Sequence, residues 1–365
     1  MNILHTETLK GWGGQQNKVL KECIALRELN HQIILICNPN SKIGEQFRLE
    51  KFDVIEKEMN KGNILKNVFF FLKIFKKFNI SMIITHGSTD SWVGGISARL
   101  SSIKLISLRE RHNLFPIRSS LSKWLHNSLF NGILSISDVV SEYLTSIGVK
   151  KNRIHHLPDS VNIKNFTHKN RFLRLEYNIP DNAIVIGSFT SLRPEKGVWD
   201  LFKLCKSVLH HPNVWFIFGG TKYTEIEQKI NHELNTEGHD TTRVIWTGFR
   251  KDVGEVYASF DIFVHLTHSE GMGTVLLEAM ASHLPVIVWD RRPMSDIIVN
   301  NSNGICVPFG NHNKVVSTID TLVHDKQLRD KMGDIGRSTV VKKYGDDSLK
   351  KRLKEIIDTQ QLKQK

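Results

Sequence analysis

Short runs rich in Ile, Val and Leu alternate along the chain with longer segments whose apolar residues recur every three to four positions. In the first half the runs cover residues 3–5, 33–37, 82–86, 104–108 and 133–136, with helical stretches such as 15–29 and 90–100 between them. A brief apolar run bounded by turn residues predicts a strand, and strand–helix alternation predicts a parallel sheet covered on both faces. The pattern breaks over 155–180, where Pro158-Asp159-Ser160 and many Asn and Lys leave no clean period. It restarts with strands at 183–189, 214–218, 244–247, 262–265 and 286–289, separated by helices at 197–209, 224–234 and 274–281. The expected fold is α/β: two Rossmann-like domains meeting near residue 170, their sheets facing across a cleft. Ligands of such open sheets bind beyond the carboxyl ends of the strands. The domains are placed at 1–165 and 166–345. Leu349, Leu353 and Ile356 share helical spacing over 348–357, which predicts an amphipathic C-terminal helix within 346–365 that packs back on the first domain.

Composition narrows the partners. The 365 residues suit two domains at ~100–200 residues each. Fifty Lys and Arg against 37 Asp and Glu leave a net charge of +13, which attracts anions: nucleic acid, anionic lipid or phosphorylated substrates. Cys23, Cys37, Cys205 and Cys306 are too scattered for a metal cluster or a redox pair, and are expected to be reduced thiols. No Asp-x-Asp stands at a strand end in the first half, so no bound metal is expected. The N-terminus lacks the pattern of a signal peptide and no apolar run reaches the ~20 residues of a membrane span, so a cytoplasmic location is expected.

Three segments carry candidate chemistry. Glu270-Gly271-Met272-Gly273-Thr274-Val275-Leu276-Leu277-Glu278 follows a predicted strand and opens a helix. Its glycines allow close backbone approach, and the exposed N–H groups of a helix N-terminus suit a diphosphate. Glu270 would face the sugar side of such a phosphate, and Glu278 can accept hydrogen bonds from a ribose diol. Arg193 and Lys196, in the Ser191–Gly197 loop after another strand, can clamp a pyrophosphate, Arg by forked hydrogen bonds and Lys as a point charge. Gly11-Trp12-Gly13-Gly14-Gln15-Gln16 follows the first strand but is not a GxGxxG fingerprint, which weighs against a nicotinamide dehydrogenase.

Together these motifs resemble retaining glycosyltransferase family 4. The resemblance rests on Glu270 and Glu278 with seven residues between them, on Ala279-Met280-Ala281 and Leu284-Pro285-Val286-Ile287 after them, and on Arg193 with Lys196-Gly197. It rests also on Gly13-Gly14-Gln15-Gln16. The opening 7–14 and Thr85-His86-Gly87-Ser88-Thr89-Asp90 are similar to the branch that builds bacterial lipopolysaccharide and other cell-surface polysaccharide. The resemblance implies a GT-B fold and a nucleotide-diphosphate sugar as co-substrate, with no metal and no bound cofactor. It implies donor contacts at Gly13, Gly14, Arg193, Lys196, Glu270, Gly273, Thr274, Val275 and Glu278. It places His112, Glu270, Arg193 and Lys196 in the catalytic site, and Gln16, His86 and Asp90 on the acceptor side. The partner is a glycan or lipid-linked acceptor. Two positions depart from the family pattern: Ser160-Val161-Asn162 replaces Gly-Val-Asp, and His283 stands where a small residue is usual.

Residues 64–78 combine five phenylalanines with Lys66, Lys73, Lys76 and Lys77. At ~100° per residue Lys66, Lys73 and Lys77 share one stripe, as in a basic amphipathic helix lying on an anionic membrane or in a mostly buried helix with one solvated stripe. With the net charge, this predicts peripheral attachment to the inner face of the cytoplasmic membrane. Two alternatives to a transferase remain: a nucleotide-sugar epimerase on the same fold, and a basic nucleic-acid-binding protein. The second would need basic residues interleaved with stacking aromatics along one face, which only 64–78 approaches, so no nucleic acid is expected.

Overall fold

The computed structural model describes residues 1–166, 171–221 and 223–364. The expected junction near residue 170 falls on 167–170, outside the described residues. The chain divides into two units. One is Met1–Ser160 joined by the segment from Asp346 onward, the other Val161–Gly345.

The first unit runs β1 (Asn2–Glu7), α1 (Gly14–Glu28), β2 (Gln32–Cys37), α2 (Lys42–Leu49), β3 (Asp53–Glu56), α3 (Ile64–Lys77), β4 (Met82–Thr85), α4 (Ser88–Leu100), β5 (Ile106–Arg111), α5 (Ser120–Trp124), β6 (Gly132–Ser135), α6 (Asp138–Ser146) and β7 (Ile154–His156). The second runs α7 (Phe172–Glu176), β8 (Ile184–Phe189), α8 (Val198–Val208), β9 (Val214–Gly219), α9 (Thr224–Thr236), β10 (Val244–Gly248), α10 (Val253–Ala258), β11 (Ile262–His265), α11 (Thr274–Ala281), β12 (Val286–Trp289), α12 (Met294–Ile297), β13 (Ile305–Val307), α13 (His312–His324) and α14 (Lys326–Tyr344). The chain then returns to the first unit with α15 (Asp346–Leu362).

Both sheets are parallel. Their orders are β3-β2-β1-β4-β5-β6-β7 and β10-β9-β8-β11-β12-β13. The central strands are apolar on both faces because helices cover both: Met82–Thr85, Ile262–His265 and Val286–Trp289 are buried throughout. In each sheet the order reverses beside the first strand, between β1 and β4 and between β8 and β11. A ligand crevice opens at such switch points.

Three strands escape the sequence pattern. β3, β7 and β13 are short edge strands, half exposed, whose sequences Asp-Val-Ile-Glu, Ile-His-His and Ile-Cys-Val hold no long apolar run. β7 therefore stands at the start of what reads as a connection over 155–180. β5 starts two residues later than expected and ends three later, at Arg111 instead of 108; Glu110 in its polar end finds buried partners described below.

The 64–78 segment is a helix, but its phenylalanines do not form one exposed surface. Phe71 and Phe75 are fully buried in the core with Leu4, Ile36 and Ile83, and Phe70 and Phe78 pack partly against it. Phe69, 67% exposed, and Leu65, 74% exposed, are the apolar side chains left on the outer strip beside Lys66, Lys73, Lys76 and Lys77. Among the described residues no helix is long and apolar enough to cross a membrane. The C-terminal helix α15 buries Leu349, Leu353, Ile356 and Ile357 in the same cluster as Ile3, Val19 and Leu26. The four cysteines are free, three of them buried.

Candidate active site

The two expected donor loops leave the second sheet at its switch point, one after β8 and one after β11. Gly197 follows the turn Pro194–Lys196 at φ 75°. A Cβ there would lie 1.8 Å from the Leu266 carbonyl oxygen, so glycine is what lets the two loops touch. Across that contact Lys196 Nζ donates to Glu270 Oε1 at 2.7 Å and to the Ser269 carbonyl oxygen at 3.3 Å. His265, wholly buried at the end of β11, brings Nε2 within 3.4 Å of the same carboxylate oxygen. Burial alone would raise the Glu270 carboxyl, but His265 and then Lys196 outweigh it and hold the group at about 2. The His265 contact is poorly aligned, for neither ring nitrogen completes a hydrogen bond. Lys196 is thus the firmer anchor.

Gly273 caps α11 at φ 80°. The first turn of that helix, at Thr274 and Val275, directs backbone N–H groups out of the helix end. Glu278, one face further along, lies 3.1 Å from the hydroxyl of Tyr257, which is also 3.2 Å from the Val275 carbonyl oxygen. Tyr257 is itself clamped among the rings of Phe166, Phe189, Phe260 and Phe263. Tyr257 and His265 are supporting residues that no motif announces. His283 follows α11 at φ 60°, its Nδ1 on Asp334 at 2.8 Å. Arg193 is not gathered with Lys196 and Glu270. It is exposed, and its Nε donates to the Tyr223 hydroxyl at 2.6 Å.

In the first unit β1, β4 and β5 bring three histidines together. His5 Nδ1 is 3.0 Å from His86 Nε2, and His86 Nδ1 is 3.1 Å from His112 Nε2 and 3.2 Å from Glu110 Oε2. Beneath them Lys18 of α1 contacts both Glu22 and Glu110, all three side chains at most 2% exposed. Burial opposes charge on Glu110, but Lys18 and the imidazoles of His112 and His86 hold it well below the usual carboxylate range. Burial and the neighbouring Glu110 push Glu22 well above that range, while the Lys18 ammonium contacts both carboxyl groups. Burial, aided by His86 and Lys18, lowers His112 to about 3. It is therefore neutral near pH 7, and its Nδ1 has no hydrogen-bond partner. His86, Glu110 and His112 offer ligand atoms within 4.8 Å of one another, a spacing a metal ion fits, but the Lys18 ammonium already supplies a cation to Glu110.

The other expected residues of this unit divide by role. Gly13 and Gly14 open α1 on the surface with no positive φ, and a Cβ on Gly13 would meet only Gln16 Oε1 at 3.5 Å. Neither backbone strain nor packing calls for glycine there, which leaves room for an approaching ligand. Gln16 is buried and donates to Glu7 Oε2 at 3.1 Å. Glu7, the first residue of the 7–14 opening, organises the loop. Its other oxygen accepts from the backbone N–H groups of Thr8 and Leu9 at 2.8 and 2.9 Å. Asp90 is wholly buried and caps α4, its Oδ2 accepting from Thr6 Oγ1 and from the N–H groups of His86 and Gly87. That leaves it a scaffold for His86 rather than an exposed contact.

Two family models match: Glycosyltransferase Family 4 over residues 12–165 and Glycosyl transferases group 1 over residues 169–339. The capsular polysaccharide biosynthesis glycosyltransferase CapM of Staphylococcus aureus is 27% identical over 62% of this chain, a match spanning 61% of that relative's length. The N,N'-diacetylbacillosaminyl-diphospho-undecaprenol alpha-1,3-N-acetylgalactosaminyltransferase of Campylobacter jejuni is 22% identical over 84% of this chain and 85% of its own. A crystal structure of a glycosyltransferase from Rickettsia africae superposes with a TM-score of 0.89, covering 98% of each chain at 20% identity, which shows the shared GT-B fold. With both of its units matched by glycosyltransferase models and both carrying the expected loops at their switch points, the chain belongs to glycosyltransferase family 4.

Proposed function

We propose that the protein transfers a hexosyl group from a nucleoside-diphosphate sugar to a glycan or lipid-linked acceptor in cell-surface polysaccharide synthesis, with retention at the anomeric carbon and no metal. The observation that carries this reading is the Lys196–Glu270 pair at 2.7 Å beside the N-terminus of α11. Cleavage of the donor leaves a nucleoside diphosphate whose negative charge grows in the transition state. A cation and a helix N-terminus fixed in advance stabilise that charge without reorganising. Lys196 and the first turn at Gly273, Thr274 and Val275 fill this role, with Arg193 swinging from Tyr223. Glu270 is kept ionised beside the sugar, and Glu278, held by Tyr257, takes the ribose diol.

In the first unit the neutral His112, with an unpaired Nδ1, is suited to hydrogen-bond a sugar hydroxyl. Gly13 and Gly14 leave space for the donor, and Gln16 and His86 support the acceptor side. The relatives support the acceptor class: the Campylobacter protein is named for a diphospho-undecaprenol-linked sugar. Attachment to the inner face of the cytoplasmic membrane follows from such an acceptor. Both family models are transferase models, so the epimerase alternative has no support from them.

A thermal-shift panel of nucleotide sugars identifies the donor, and nuclear magnetic resonance of the product reads the anomeric configuration. Transfer should persist in EDTA and give the donor's own anomer. Activity that vanishes in EDTA and returns with Mg²⁺ overturns the metal-free assignment, and an inverted product overturns retention.

A further inference from the structure

Strand β5 ends Arg109-Glu110-Arg111, and side chains alternate between faces along a strand. Glu110 turns to Lys18 and the histidines, so Arg109 and Arg111 turn the other way. There, within the first unit, lies a cavity of about 580 Å³ whose lining includes Arg109, Arg111, Arg118, His126 and Trp92 and no acidic side chain. Arg109 is 5% exposed, and among the described residues its guanidinium makes one hydrogen bond, from Nη1 to the Gly87 carbonyl oxygen at 3.3 Å. Nε of Arg109 and Nε of Arg111 have no partner. Arg111 otherwise donates to the Phe115 carbonyl oxygen, and Arg118 is exposed. The nearby Asp90 lies outside the lining and attracts Arg109; its Oδ2 accepts from Thr6, His86 and Gly87, while its buried Oδ1 has no hydrogen-bond partner among the described residues. Burial and the like charge of Arg111 lower Arg109 to about 10. The cavity thus gathers three arginines with no carboxylate in its own lining.

The rim is apolar. Leu9 and Phe115 line the cavity and are 52% and 74% exposed. Trp124, 49% exposed on α5, stacks on the lining residue Trp92 at 6.4 Å. A cationic cavity ringed by exposed aromatic and aliphatic side chains matches a molecule with an anionic head and a hydrocarbon tail. Guanidinium forks fit phosphate oxygens two at a time. His126 Nδ1 lies 2.6 Å from the Ser122 carbonyl oxygen, to which it donates when neutral. Nε2 then remains as a bare acceptor for a hydroxyl beside the phosphate.

We propose that this cavity binds the diphosphate of a lipid-linked acceptor, with Arg109, Arg111 and Arg118 on the phosphate oxygens and the rim of Leu9 and Phe115, with Trp124 beside Trp92, against the lipid chain. It rests on the transferase reading above and names the acceptor class.

Free pyrophosphate shares the head chemistry, so the test separates the two. Farnesyl diphosphate, inorganic pyrophosphate and farnesol are titrated into the full chain by calorimetry, with and without saturating nucleoside diphosphate. The same titrations are run on Arg118→Gln and on Arg111→Gln with Arg118→Gln. Farnesyl diphosphate should bind more tightly than either fragment and survive saturation by nucleotide. It should weaken about tenfold or more in the double variant, as expected for losing charge-assisted hydrogen bonds. Equal affinity in a double variant with unchanged melting temperature overturns the arginine assignment, and a variant that melts early is judged on Arg118→Gln alone, where unchanged affinity does the same. Pyrophosphate binding as tightly as farnesyl diphosphate overturns the lipid assignment, and displacement by nucleotide places the ligand in the second unit instead. Nucleoside-diphosphate binding in the same protein is the separate readout of the transferase reading: its absence sinks that reading without deciding the cavity.

Discussion

Glu270 shows how one side chain is tuned by neighbours drawn from different loops. Its carboxyl is brought from an ordinary 4.5 to about 2 although burial pushes the other way. A folded-state value below the unfolded one contributes stability that is present above the unfolded value and is lost as pH falls through the folded one. The window is therefore the acid range between 4.5 and about 2, and the contribution at neutral pH is about 3 kcal/mol at most. Melting curves of wild type and Glu270→Gln should be furthest apart near neutral pH and converge as the acid range is crossed. A gap that stays constant with pH would show that the carboxylate is not held by charge. Glu270 was legible in sequence because its spacing to Glu278 and the glycines between them form one local motif. His265 and Tyr257, which lie beside the two glutamates, were not, since each looks like a core residue until the fold sets it beside its neighbour.

At the scale of elements, α3 separates what a pattern can say from what packing decides. Five phenylalanines and four lysines read as one amphipathic surface. The helix lies against the sheet, however, and spends Phe71 and Phe75 on the core. Membrane attraction by the remaining strip must then be mainly electrostatic, at ~1 kcal/mol for each lysine near an anionic surface. Changing Lys66, Lys73, Lys76 and Lys77 to Gln should abolish most sedimentation with anionic liposomes, and added salt should mimic it. Phe69→Ser should matter less. Wild type that ignores anionic liposomes at low salt, or a quadruple variant that sediments unchanged, would remove α3 from any membrane role. Strand β5 gives the converse case: a strand expected to stop at 108 continues through Arg109, Glu110 and Arg111 because the sheet offers opposite charges buried sites on opposite faces. Its alternation of sign was the signal available in sequence for both the histidine cluster and the arginine cavity.

For the molecule as a whole, the chain end is part of the first unit's core. Leu353, 2% exposed, packs from α15 into a cluster containing Ile3 and Leu26. Leu353→Ala should cost ~2–5 kcal/mol of first-unit stability, as large-to-small changes in a core do, and lower the melting temperature accordingly. Nucleoside-diphosphate affinity, measured well below that temperature, should be unchanged because the expected donor residues with side-chain contacts to phosphate and ribose lie in the second unit. A loss of less than half a kcal/mol (about the size of an ordinary surface substitution) would mean that α15 is dispensable to the core.

The sequence by itself determined the class of fold and placed the two expected donor loops after their strands. Period and run length are local properties, and the central strands, being buried on both faces, carry them without compromise. Glu270, Gly273, Glu278, Arg193 and Lys196 sit in two such contiguous loops. Tertiary structure alone decided which of these meet: Lys196 pairs with Glu270 across the Gly197–Leu266 contact, while Arg193 rests on Tyr223. It also decided that Lys18, Glu22, Glu110 and three histidines form one buried cluster, that Asp90 is a cap, and that the edge strands exist at all. These depend on residues far apart in the chain, where burial and the need of each buried charge for a partner select a contact that no local spacing encodes.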